Sequence, residues 1–325
     1  MENYLVTGAS GFLGANVVLE ILDRGDHVDA CDFIGPVDDL AADAHRAPGT
    51  VEWIRLDVRS RGDWRDLPDR DYRAVIHAAA VTPGRDESDP LRTADINLMG
   101  ALRGMEWAAE RCVRRFVFVS SSAVYRGGHF SEPMTEEAEV SPPFSYGILK
   151  RAAEVLQATY REHRGLDGCS VRLPSLYGPW ERPTGSRQNM SLPYHLARAA
   201  VAGHALHVSD VRNSRDWLYV RDAARALLHA ATLDGGPDLF NLSTGHLTDL
   251  HQMLAALDEM VPEHRVCLVA DPGEADLVLP EIQEEQPMNP GLLADSGFNA
   301  DTTFEGGMGA YLSWLGSHPR EARSE

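Results

Sequence analysis

Tyr4-Leu5-Val6-Thr7-Gly8-Ala9-Ser10-Gly11-Phe12-Leu13-Gly14 is the stretch that decides the fold of this chain. A short apolar run ends at Thr7, three glycines follow at intervals of three, and an amphipathic pattern runs from Phe12 to about Arg24. This predicts a strand, a tight turn and the start of a helix. Positions without side chains let the backbone approach a ligand closely. The free N–H groups and positive end of the helix then face it. Such a unit suits a pyrophosphate, and the strand before and helix after supply the context a glycine triplet needs. Gly8, Ser10, Gly11, Phe12, Leu13 and Gly14 are therefore expected to line a dinucleotide. The second half of such a site follows. His27-Val28-Asp29-Ala30-Cys31-Asp32 reads as the next strand, and Asp32 closes it about 20 residues after the glycines. A carboxylate there accepts from ribose hydroxyls and repels a 2′-phosphate. No Arg or Lys between Phe33 and Leu40 offsets that repulsion, so NAD is expected over NADP.

At 325 residues the chain can bury a large core, as one domain or two closely joined lobes. Its 43% hydrophobic and 24% charged residues are ordinary for a soluble globular protein. Asp and Glu outnumber Lys and Arg 49 to 30, and a formal charge of -19 repels nucleic acid and anionic membrane. A phosphate-bearing ligand then needs local positive groups. No apolar run has the length of a membrane span, and the chain opens on a strand rather than a signal peptide. Cys31, Cys112, Cys169 and Cys267 are far apart without metal-ligand spacing. Three of them lie in or beside apolar runs and read as small buried hydrophobes. The histidines are scattered, and no metal site is expected. A cytoplasmic protein with no nucleic-acid or membrane partner fits these features.

Strand-like runs over 4–7, 27–32, 51–56, 74–77 and 115–120 alternate with helical patterns over 12–24, 63–67, 91–111 and 145–163. The alternation predicts an α/β fold, with right-handed βαβ units in a doubly wound parallel sheet covered on both faces. Ligands of such sheets bind at the carboxyl ends of the strands. Asp57, with Val58 beside it, follows the third strand and can hold an adenine amino group or simply serve a turn. Ala78-Ala79-Ala80 follows the fourth, where small residues let a cofactor lie close or let a helix pack tightly. The segment continues through Thr82, a candidate on the substrate side, to Pro83.

The fifth strand, Phe116-Val117-Phe118-Val119, runs into Ser120-Ser121-Ser122-Ala123-Val124-Tyr125, so three hydroxyls stand at the carboxyl end of a central strand. After a loop rich in proline and acids, Ser145-Tyr146-Gly147-Ile148-Leu149-Lys150 opens a helix with Tyr146 and Lys150 on one face, a turn apart. A free tyrosine, with a pKa of about 10, is a poor base near neutrality. A nearby ammonium and a positive nicotinamide ring stabilise the phenolate and lower that value. The phenolate can then take a hydroxyl proton as hydride leaves the same carbon. Tyr-x-x-x-Lys also recurs by chance on surface helices; the upstream serines and the dinucleotide site give it weight.

Thr7-Gly8-x-x-Gly11-x-x-Gly14, the Ser-Ser-x-x-Val-Tyr turn, Tyr146-x-x-x-Lys150 and Arg215-Asp216-Trp217-Leu218-Tyr219-Val220 together resemble the extended short-chain dehydrogenase/reductases. These are the NAD-dependent epimerase/dehydratase group acting on sugars and nucleotide sugars, and the resemblance spans nearly the whole chain. It implies a Rossmann sheet with a smaller C-terminal substrate-binding lobe. It implies Tyr146 as catalytic acid/base and Lys150 as its partner and a ribose ligand. The family's catalytic Ser or Thr, four residues before the Tyr of the turn, corresponds to Ser121, with Ser122 its neighbour. Asn97 in Asp95-Ile96-Asn97-Leu98-Met99-Gly100 matches an Asn that is chiefly structural. Pro174-Ser175-Leu176-Tyr177-Gly178-Pro179 resembles the segment that packs on the nicotinamide. The resemblance also implies a homodimer joined through helices 91–111 and 145–163.

The lobes expected are 1–173, with 214–245 returning to it, and a substrate lobe of 174–213 and 246–325. A sixth strand is predicted over 169–173 and another over 239–242, with helices over 192–202, 222–233, 250–260 and 307–315; residues 317–325 read as frayed. The departures from the family bear on the reaction. Its 4,6-dehydratases carry Asp-Glu after the catalytic Thr, where this chain has Ser122 and Ala123, so dehydration is not expected. Its nucleotide-sugar members clamp a diphosphate with the Arg matched by Arg215 and a second, later Arg. Here the corresponding Pro280-Glu281-Ile282-Gln283-Glu284-Glu285-Gln286-Pro287 is acidic, so Arg182, Arg187 or Arg212 would have to substitute. A nucleotide-sugar epimerase is the first expectation. A net dehydrogenase or reductase of a smaller sugar and a non-catalytic NAD sensor are the alternatives.

Overall fold

The computed structural model describes residues 1–82, 89–125, 128–280, 282–283 and 286–323. Pro83 and the acidic residues Glu281, Glu284 and Glu285 lie outside them.

The strands are β1 Asn3–Thr7, β2 His27–Asp32, β3 Thr50–Arg55, β4 Tyr72–His77, β5 Phe116–Ser121, β6 Gly168–Leu173, β7 Ser175–Tyr177, β8 Ala205–Ser209, β9 Asn213–Tyr219, β10 Leu239–Asn241, β11 Leu247–Asp249, β12 Arg265–Val269 and β13 Ile282–Gln283. Seven of them form one parallel sheet in the order β10-β6-β5-β4-β1-β2-β3. Chain order reverses between β1 and β4, which opens a crevice at their carboxyl ends, the ligand position of such sheets.

Alternate residues of each strand serve opposite faces. Val6, Ala30, Ile76, Val117 and Val171 join one core with the helices Phe12–Asp23 and Val220–Thr232. Leu5, Cys31, Val75, Phe116 and Phe118 join the other, with Met105, Trp107 and Ala153 of the helices Ala101–Glu110 and Ser145–Arg164. Burial on both faces is why these strands read as continuous apolar runs. Cys31 and Cys169 are buried as expected, whereas Cys112 and Cys267 are exposed.

The helix expected over 91–111 begins at Pro90 and widens into a π-helical turn over Asp95–Gly100. A Cβ at Gly100 would stand 2.8 Å from a Val58 methyl, so the glycine lets this turn settle on β3's carboxyl end. A helix over Asp38–Arg46 was not expected, since only Leu40 and Ala44 of it are buried. β9 pairs with β7, β11 and β13 in a second sheet, while β10 takes the edge of the main sheet beside β6. The last turn does not fray within the described residues. Pro319–Arg323 is helical, and Glu321 on it is buried. Among the described residues no helix is long and apolar enough to cross a membrane.

Candidate active site

The glycine loop lies at the β1 side of the crevice. Gly8 has φ +70°, and a Cβ there would stand 2.8 Å from the Ala79 backbone; one at Gly14 would collide with the Gly8 carbonyl. The loop therefore presses on the segment after β4 at a distance only glycine permits. Gly11 precedes the Phe12–Asp23 helix and no side chain caps it, leaving the first N–H groups of the helix turned to the crevice. This glycine-lined cradle with an uncapped helix end fits a dinucleotide pyrophosphate. Asp32 accepts from the Ser10 N–H at 2.9 Å and the Ile34 N–H at 3.2 Å. Burial pushes its carboxyl above the usual carboxylate range, and these N–H groups oppose the shift.

The opposite wall is Ala78–Val81. Asn97 holds it from the π-helical turn, accepting the Val81 N–H at 2.7 Å and donating to the Val81 carbonyl at 2.8 Å. The Thr7 hydroxyl accepts the Ala79 N–H at 3.2 Å and meets His77 Nδ1 at 3.0 Å. Burial, with the Lys150 charge behind it, pushes His77 down to about 3, so the imidazole is neutral. Asp57 serves its turn: Arg59 engages both of its carboxylate oxygens, at 2.9 and 2.7 Å, and this bond holds the carboxyl below its ordinary value. An adenine amino group would share those oxygens. Val58 is buried beside it.

The chemical end is built from β5 and the Ser145–Arg164 helix. Ser121 closes β5, and its hydroxyl accepts the Ala123 N–H at 3.2 Å, starting the 3₁₀ turn Ser122–Val124. A Cβ at Gly147 would stand 2.6 Å from the Ala123 carbonyl, so Gly147 lets the helix start lie against this turn. Tyr146, the residue before, lies in the first turn of the helix that meets this turn. Lys150 is 2% exposed, donates to the Val119 carbonyl at 2.7 Å, and lies 5.6 Å from the Tyr146 ring centroid. Burial pushes its ammonium down to about 8 against the opposing pull of Glu154. Pro174 is buried between β6 and β7. Ser120, first of the three hydroxyls, is taken by Glu154 at 2.5 Å and is buried.

The arginines divide. Arg215 on β9 reaches the Ser175 hydroxyl at 3.4 Å, in the second sheet near β6's carboxyl end. Arg182 and Arg187 do not join it. Arg182 donates to the Ser10 carbonyl at 2.6 Å, and Arg187 lies 5.1 Å over the Phe12 ring. Both stand at the glycine loop, where residues 179–187 form a strap across the crevice. Asn16 donates to the Pro179 carbonyl at 2.9 Å on one bank, and Thr82 donates its N–H to the Ser186 carbonyl at 2.9 Å on the other. Trp180, at φ 69°, turns the strap and is buried between Trp314 and His318. Thr82 is thus a strap anchor as well as a substrate-side candidate, whereas Ser122 and Ala123 remain partly exposed in their turn. Among the described residues His27, Asp29 and Glu52 lie close enough to hold a metal ion, but the Arg70 guanidinium pairs with both acids.

The model of the NAD dependent epimerase/dehydratase family matches residues 4–243. The chain belongs to that family. NAD is its cofactor. A UDP-glucose 4-epimerase of Mycolicibacterium smegmatis is 28% identical over 257 residues, 78% of this chain and 80% of the relative. A dTDP-glucose 4,6-dehydratase of Xanthomonas campestris is 26% identical over 340 residues, 97% of this chain and 93% of the relative. In fold, the chain matches a UDP-glucose 4-epimerase of Bifidobacterium longum, solved with NAD+ and UDP, at a TM-score of 0.82 and 21% identity, over 98% and 99% of the two chains.

Proposed function

We propose that the protein is a nucleotide-sugar epimerase that keeps its NAD through each turnover. The observation that carries this is the strap over residues 179–187, hydrogen-bonded to both banks of the crevice. A net dehydrogenase must release NADH every cycle, whereas an epimerase uses the same hydride twice and gains from a closed cofactor site. The lobe of residues 174–213 and 246–325 holds the sugar, with Arg215, Thr82, Ser122 and Ala123 lining it.

Ser121 and Tyr146 hold the carbinol hydroxyl. Tyr146, as phenolate beside the Lys150 ammonium, takes the hydroxyl proton. Lys150 also orders the nicotinamide ribose. Bound NAD supplies the hydride acceptor. When the ketone carbon has turned its other face, Tyr146 returns the proton to the new alcohol. Ser122 and Ala123 stand where a dehydratase carries acids, which speaks against loss of water.

A second reading, a net dehydrogenase of a smaller sugar, is favoured by the acidic residues 280–287, where a second diphosphate-binding Arg is wanting. The intact Tyr146 and Lys150 speak against a non-catalytic NAD sensor. The test is purified protein with NAD and a panel of nucleotide sugars, free sugars and sugar acids. A sugar isomer without net NADH supports the epimerase; stoichiometric NADH supports the second reading. We place the protein in the cytoplasm as a homodimer. Exposed Leu91, Met99, Ile148 and Val155 on the two long helices are the apolar residues a partner copy would cover. Ile148→Glu with Val155→Glu then gives a monomer by sedimentation.

A further inference from the structure

Glu154 lies one helical turn beyond Lys150, its side chain 3% exposed. One carboxylate oxygen accepts from Ser120 Oγ at 2.5 Å and Arg172 Nε at 2.9 Å; the other accepts from Arg172 at 2.8 Å and Arg151 at 3.1 Å. Arg172, 1% exposed on β6, donates onward to the Tyr125 hydroxyl at 2.6 Å. That hydroxyl lies 2.9 Å from both Asn241 Oδ1 and the Thr135 carbonyl. Two desolvated charges in a bidentate pair add little to stability over apolar side chains of the same volume. What the clamp does supply is a carboxylate with both oxygens fixed in one place, its charge partly offset by Arg172 and Arg151.

That place is the catalytic helix. We propose that Glu154, clamped by Arg172 and Ser120, is a positioning residue for the proton couple of Tyr146 and Lys150: its charge keeps the buried Lys150 an ammonium, and so sets the pH window of the reaction. The proposal rests on reading Tyr146 and Lys150 as that couple.

The groups around Lys150 leave Glu154 this role. On its own helix stand Tyr146, Arg151 and Glu154. On β5 are the Val119 carbonyl and the Phe118 ring at 4.8 Å; on β4 is His77, which is neutral. On β6 is Arg172, and beyond the Ser122–Val124 turn is Tyr125. The nearby helix Ala101–Glu110 offers Glu106, which pairs with Tyr160 and Arg164 further along. Among these described residues Glu154 is the anion facing Lys150. It opposes the burial that pushes Lys150 down to about 8. Removing its charge makes proton release easier for both members of the couple, so both macroscopic midpoints move to lower pH.

The test is a titration of tyrosinate absorbance on the NAD-bound protein. Each spectrum is taken against the corresponding Tyr146→Phe protein so that Tyr146 alone is read. Glu154→Gln should lower the midpoint by about one pH unit, and Glu154→Asp, which keeps the charge, should restore it. If Glu154→Gln does not fold, Glu154→Asn, the neutral counterpart of Glu154→Asp with Arg172 retained, should give the same displacement. A midpoint that stays put in a folded charge-removing variant overturns the proposal. Because no substrate is present, that failure is distinct from failure of the epimerase reading, which the sugar panel tests.

Discussion

The cofactor bank of the crevice and the arginines of the second lobe are built from different materials. The bank is made of backbone: Gly8 at φ +70°, a contact at Gly14 that admits no Cβ, and an uncapped helix end. Each of these is a local property of consecutive residues. The arginines act through long side chains whose partners are set by tertiary contact. Arg182 belongs to Ser10, 172 positions away, and Arg187 to the Phe12 ring, while Arg215 meets Ser175. A guanidinium's role is decided by where its strap or strand lands, which no local pattern records.

The strongest way to break this contrast is at the chemistry between the two regions. Tyr146→Phe removes the proton-transferring oxygen and should lower turnover about a thousandfold, with NAD affinity unchanged by calorimetry. Loss of NAD binding together with turnover would make Tyr146 structural. Gly14→Ala comes next. Its methyl meets the Gly8 carbonyl, so the melt should lose about 1–3 kcal/mol of stability and NAD affinity should fall with it. A protein that binds NAD normally would refute the backbone account of the bank.

Arg187→Ala should weaken NAD about tenfold, the size of one charge-assisted contact, and leave the sugar KM unchanged. Arg215→Ala should do the reverse. Equal effects of both on the sugar would return Arg187 to the substrate. The smallest effect is at Asp32. Asp32→Ala should weaken NAD by about 1 kcal/mol and weaken NADP less, since the repelling carboxylate is gone. Equal weakening would remove the ribose assignment.

Much of the fold was legible because the strands are buried on both faces and end in turn residues, as at the glycines after Asn3–Thr7 and the serines closing Phe116–Ser121. Helix Asp38–Arg46 was not, for it buries too little to leave a period. The pairing of β9 with β7 and β11 left no mark in the sequence, because strand pairing depends on partners distant along the chain. At the site, the positions of Tyr146 and Lys150 followed from helix spacing, and Gly147 was quoted without its use being apparent. The Glu154–Arg172–Tyr125 network was missed although it left a trace: an arginine inside the apolar run Val171-Arg172-Leu173 is costly to bury unless a carboxylate waits for it.

In the proposed epimerase a closed strap makes the hydride return from the same bound cofactor. The most direct measurement gives the enzyme a nucleotide sugar carrying deuterium on the carbon to be oxidised, with excess unlabelled NADH in solution. The account predicts an epimer that keeps its deuterium through the reaction. Deuterium washed out into the NADH pool would mean that the cofactor exchanges during turnover, and would contradict it.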